Sequence, residues 1–156
     1  MPNWIYLFFN ALYHAGLALW IGGAIVLAGV VAPALLAAFP RHQAIVVSVP
    51  MLRRFARLRL AALVMIIIGA GAKALVWERF ALTPWLAIRW GAIVLLAWAL
   101  LFDLIRTKKL VAFGVGVEAE AAPDDPRVVF FDYFYTRAEG LMKASVVAAF
   151  IALIFS

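Results

Sequence analysis

Apolar residues run through this chain in blocks, covering about residues 4–36, 60–77, 85–105 and 137–155. Each block is close to or above the roughly 20 helical residues that cross about 30 Å of hydrocarbon. The runs are continuous. A spanning barrel would instead show alternating segments of roughly ten residues. The pattern predicts an all-α integral membrane protein, an antiparallel four-helix bundle forming a single transmembrane domain over residues 1–156. Its helices are expected over about 4–36, 60–77, 85–105 and 126–155, with connections at 38–59 and 106–125.

Punctuation refines these elements. Asn3 is suited to cap the first helix, and Pro33 should kink or restart it, because proline cannot donate to the preceding turn. "ERFALTP" is short enough to make a hairpin of the second and third helices. Asp125 as cap with Pro126 at the first helical position opens the fourth helix early. Its first stretch, "RVVFFDYFYTRAEG", has the aromatic content of a membrane interface. The acidic "VGVEAEAAPDD" reads as a loop. The first block lacks a positive n-region and outruns a signal-peptide core, so it is expected to be retained.

Composition agrees. Of 156 residues, 68% are hydrophobic and 14% charged, against about 25% charged in soluble domains. Lys and Arg outnumber Asp and Glu 14 to 8. These cations flank apolar runs and are not set among stacking aromatics, which favours lipid headgroups over nucleic acid as partner. The absence of cysteine excludes disulfides, Cys-zinc sites and iron–sulfur ligation.

The cations also orient the chain. Arg41, Arg53, Arg54, Arg57 and Arg59 cluster around the first connection, and Arg106, Lys108, Lys109 and Arg127 around the third, whereas the second offers Arg79. By the positive-inside rule the two long connections are cytoplasmic and both termini face outward. "VPMLRRFARLRL" reads as a basic amphipathic headgroup anchor, or as a dock for an acidic partner.

Candidate chemistry lies in the few polar groups within apolar runs, which normally turn toward the bundle interior. His14 sits ten residues after Trp4, roughly 15 Å in from the outer end. It either bonds a helix backbone or hydroxyl, or serves as a metal or haem ligand or a proton carrier. Lys73 and Arg89 lie near the outer ends of their helices, with Glu78 close to Lys73. They either snorkel to headgroups or face a pocket with His14. Toward the cytoplasmic side come Asp103, Glu139 and Lys143. Arg89, Leu96 and Asp103 are spaced by seven and share a face, and Glu139 and Lys143 form an i,i+4 pair. Asp103 and Glu139 are expected to neutralise Arg57, Arg106 or Lys143 in structural ion pairs. Ala15, Ala18, Gly22 and Gly29 form a small-residue stripe for close helix contact, bordered by His14. Trp20 and Trp98 are expected to be buried. Neither a phosphate-binding Gly loop, HExxH nor a nucleophile triad is present.

His14 followed six positions later by Trp-Ile-Gly-Gly and an apolar run into Ala-Pro resembles the first helix of small bacterial four-helix membrane proteins. These are the HemJ-type protoporphyrinogen oxidases, the CopD membrane domain and an uncharacterised family of the same layout. "RRFARLRLAALVM" is similar to the second-helix entry of that uncharacterised family. "WLAIR" is similar to the Trp-Leu-x-x-Lys of HemJ, with Arg89 in place of lysine, and "RAEGLM" to its Arg…Asn-Glu, with Ala138 for asparagine. The resemblance implies the bacterial inner membrane and a haem-related role for His14 and Arg89. No second histidine lies in an apolar block; His42 is in a connection.

Three functions are compatible with these features. The first is a bundle whose outer pocket of His14, Lys73 and Arg89 binds an anionic cofactor such as haem b. The second is a non-catalytic accessory subunit of a membrane complex or a homo-oligomer. The third is a copper-handling protein, with His14 as metal ligand, or a small-solute transporter.

Overall fold

The computed structural model describes residues 3–39, 41–78, 83–114 and 126–156, with side chains at all of these except 41, 42, 45, 46, 49, 106, 107, 109–114, 126–136, 138 and 139. The chain forms four helical rods, and every regular element among the described residues is helical. The first rod comprises α1 (Asn3–Val26), a π-helical turn (Leu27–Val31) and α2 (Ala32–Ala38). The others are α3 (Arg41–Val76), α4 (Pro84–Gly114) and α5 (Pro126–Ile154). Three segments, Asn3–Ala38, Pro50–Val76 and Pro84–Ile105, are long and apolar enough to cross a membrane, and Gly140–Ile154 is a shorter apolar helix.

Local chemistry explains most boundaries. Thr83 Oγ1 accepts from the Leu86 amide at 3.4 Å and caps α4, with Pro84 behind it at the first helical position. Pro126 opens α5 as expected. Pro33 falls in the first turn of α2, which begins at Ala32, so a helix restarts there as expected, without a gap in the rod. The helix widens one turn earlier, where the Ala32 amide reaches back five residues to the Leu27 carbonyl, and then continues through the proline. Such π-turns accommodate a position where the usual ladder is interrupted. The expected connection 38–59 is mostly helix, because α3 begins at Arg41 and runs through Pro50. Its basic residues are good helix formers that an exposed helix face carries in water. The cap Asp125, the cation Arg79, the loop "VGVEAEAAPDD", and the side chains of His42, Arg106, Lys109, Glu139 and the aromatic stretch after Arg127 lie outside the described residues, while the backbone of Arg106 and Lys109 belongs to α4, which extends into the expected connection 106–125.

Neighbouring rods run antiparallel, as the paired positions show. Along α1 and α3, Tyr13 lies against Gly69, Gly16 against Ala62 and Ile66, and Gly23 against Phe55. A Cβ at Gly16 would come within 2.7 Å of the Ala62 carbonyl, and one at Gly69 within 2.7 Å of the Phe9 carbonyl. Those two glycines bring the helices together. The expected stripe does not do this. Ala15, Ala18, Gly22 and Gly29 are exposed, and a Cβ at Gly22 or Gly29 would meet nothing within 4 Å.

The core joins Tyr13, Leu17 and Trp20 of α1 to Ala62 and Ile66 of α3, Ala92 and Leu96 of α4, and Ala148, Ala149 and Ala152 of α5. Tyr13 donates to the Ala152 carbonyl at 2.7 Å. Trp20 is buried as expected, whereas Trp98 is 55% exposed and stacks on Phe102. The polarity is inverted relative to a water-soluble domain: Leu7, Val94, Leu95 and Val147 face outward while Arg59, Lys73, Arg89 and Ser145 are buried.

Candidate functional site

Two polar clusters interrupt the apolar interior, one at each end of the α3–α4 pair. The first gathers where α3 ends and α4 begins. Lys73, in the last turns of α3, is buried, and its ammonium donates to Asn10 Oδ1 at 2.9 Å. The Tyr6 and Tyr13 rings each lie 5.6 Å from Nζ, within cation–π range. Arg89, in the second turn of α4, is also buried and grips Glu78 with both terminal nitrogens, Nη1 donating to Oε1 at 2.9 Å and Nη2 to Oε2. Arg89 Nε has no partner.

Sequence expectations are corrected at several points here. Glu78, expected beside Lys73, pairs with Arg89. Neither cation snorkels outward, since each is only 3% exposed. Lys73 relies instead on Asn10, a polar residue that sequence reasoning passed over. The available signal was its position one helical turn before His14 on the same face.

His14 bonds both kinds of partner expected of a structural histidine: the Asn10 carbonyl lies 2.7 Å from Nδ1, and the Ser156 hydroxyl 3.2 Å from Nε2. A carbonyl only accepts, so Nδ1 carries a proton and, in the neutral ring, Nε2 is the acceptor. Asn10 therefore serves His14 through its main chain and Lys73 through its side chain.

Lys73 and Arg89 share a pocket of about 370 Å³. Its polar wall is Tyr6, Lys73, Glu78 and Arg89, and its apolar wall is Trp85, Leu86 and Phe155, with Trp85 stacked on Phe155 at 5.3 Å. Ser156 lies at the rim, with His14 next to the pocket and outside its wall. The three predicted residues are thus brought to one end, two of them into one cavity. Haem b would find cations for its carboxylates there, but ligation by His14 Nε2 requires Ser156 to move. Among the described residues no group of three or more His, Cys, Asp or Glu side chains could hold a metal ion.

The second cluster contains the ion pair expected of Asp103, with a partner that was not foreseen. Arg59 is 2% exposed and donates through Nη1 to Asp103 Oδ2 and through Nη2 to Ser145 Oγ at 2.8 Å. Its guanidinium stacks over Trp20 at 4.2 Å, and Trp20 Nε1 donates to the same serine at 3.4 Å. Ser145 in turn donates to the Met142 carbonyl. Asp103 therefore takes Arg59 as ion-pair partner, while the expected Arg57 is exposed. Lys143 is exposed, with a polar partner of its own. Arg59 was countable from spacing: Arg59, Ile66 and Lys73 recur every seven residues on α3, all buried, matching Arg89, Leu96 and Asp103 on α4.

No family model, curated protein or solved structure matches the chain.

Proposed function

We propose that this chain is a polytopic membrane protein whose pocket at Lys73 and Arg89 binds the anionic group of an amphiphile. One observation carries the reading: among the described residues, two buried cations, Lys73 and Arg89, line a pocket with one acidic side chain, Glu78. A buried cation without full compensation is costly, and an arriving carboxylate or phosphate offsets that cost through charge-assisted hydrogen bonds. Lys73 is the anchor, because Arg89 is already held by both oxygens of Glu78 whereas the Lys73 ammonium gives one of its three donors to Asn10. The apolar wall of Trp85, Leu86 and Phe155 receives the hydrophobic part of the ligand.

In this reading four rods cross the bacterial inner membrane. The exposed cations Arg53, Arg54, Arg57 and Lys108 at the far end mark the cytoplasmic side. The pocket and both chain ends then lie on the outer side. Haem b is the narrower version of the ligand, with Lys73 opposite a carboxylate and His14 as the histidine nearest the iron.

The test is extraction in mild detergent followed by mass spectrometry and absorption spectroscopy of what remains bound. Wild-type protein should carry an anionic amphiphile, and Lys73→Met should lose most of it. Equal retention by Lys73→Met overturns the assignment of the pocket. A Soret band abolished by His14→Ala selects haem; a band that persists removes His14 from ligation.

A further inference from the structure

We propose that one anionic phospholipid is held on the outer face of α1, its phosphate beside the arginines of α3 and one acyl chain along the small-residue stripe. This rests on the proposal above that the rods cross a bilayer, and concerns the opposite end from the amphiphile pocket.

Three observations converge. The first is a groove of about 410 Å³ formed by Gly22, Gly23 and Val26 of α1 against Phe55 and Leu58 of α3. It has almost no polar lining, and Gly22 leaves its floor open. The second is the run of exposed small residues that continues the groove toward the core: Ala18, Ala15 and Ala11 follow Gly22 on one helical face. From Gly22 to Ala11 this channel is about 17 Å long at 1.5 Å per residue, close to one leaflet of a hydrocarbon core about 30 Å thick.

The third observation is charge. Arg53, Arg54 and Arg57 are exposed, and none makes a hydrogen bond or ion pair with another described residue. Arg54 does not line the groove but stands one turn from Leu58, which does, on the same face of α3. Lys108 is placed at the same level, since α3 and α4 are antiparallel and Arg59 meets Asp103. Guanidinium groups bind phosphate through paired N–H donors. An acyl chain in the groove and a phosphate at Arg54 satisfy both features with one molecule. A second copy docked in parallel through the same face would bring two arginine clusters to one level with nothing between them. An uncharged partner helix would leave the arginines unanswered.

The experiment uses the full chain in nanodiscs of phosphatidylcholine, with and without phosphatidylglycerol, and counts retained lipids by native mass spectrometry. Wild-type protein should retain one phosphatidylglycerol with a preference of about tenfold or more over phosphatidylcholine. R53Q/R54Q/R57Q should lose the preference. Gly22→Leu, which fills open space and spares the packed glycines, should lose the bound lipid of either headgroup. No preference in wild-type protein, or preference unchanged in these variants, overturns the proposal. So does a dimer that Gly22→Leu separates. Resistance of the chain to alkaline carbonate extraction distinguishes these failures from failure of the membrane reading, in which the chain is released from the membrane fraction.

Discussion

The two ends of the α3–α4 pair use the same kind of residue for opposite purposes. At the Arg59 end the cation meets the Asp103 carboxylate, with Ser145 and Trp20 as further contacts, while Arg59 Nε has no hydrogen-bond partner. At the Lys73 end two cations meet one carboxylate beside an open pocket. Arg59 is enclosed by protein, whereas Lys73 and Arg89 line a pocket. Buried ionic groups by themselves therefore do not mark a ligand site. In the reading proposed above, a second cation and the adjoining space do.

The largest effect that would break this contrast is expected from Asp103→Ala. It strands Arg59 in the interior and should cost about 3–5 kcal/mol, read as a fall in stability in denaturant titrations of detergent-solubilised protein. The double change R59M/D103L, which removes both charges, should recover most of that loss. If Asp103→Ala is neutral, the closed cluster is not a structural clamp.

Lys73→Met should do the reverse. Removing a buried cation in surplus leaves stability within about 1 kcal/mol of wild type, while retention of an anionic amphiphile falls about tenfold. A large stability loss with unchanged retention would make the two ends alike. Tyr13→Phe tests the link between α1 and α5 next to the pocket. Loss of its bond to the Ala152 carbonyl should cost about 1 kcal/mol, measured in the same titrations. The smallest effect is expected for Gly22→Ala, within about 0.5 kcal/mol. Gly69→Ala, in contact with the Phe9 carbonyl and Tyr13, should cost about 1–3 kcal/mol. Equal effects at the two glycines would contradict the assignment of Gly69 to the packed face.

The rods were legible because apolar runs state their own length. α3 was read short because its first half carries arginines and Pro50, and polarity alone does not separate an exposed helix from a connection. The irregularity at Leu27–Val31 was announced by Pro33, as a kink or restart, though not its π-helical form. At the site, the seven-residue spacing of Arg89, Leu96 and Asp103 revealed one half of the polar pattern. Its counterpart on α3 was hidden because Arg59 sits among arginines that face outward. The Arg89–Glu78 pair depends on how the chain turns between α3 and α4, which spacing does not encode. The stripe of small residues was visible, but the face that packs uses Gly16 and Gly69 instead.

The knot at Arg59 also bears on biogenesis. It draws on Trp20 of α1, Arg59 of α3, Asp103 of α4 and Ser145 of α5, so each rod contributes one member. If the rods enter a bilayer, α3 and α4 do so most cheaply as a pre-formed pair, with the arginine and the aspartate cancelling before either meets hydrocarbon. The rod that carries Ser145 then supplies the serine that completes the set.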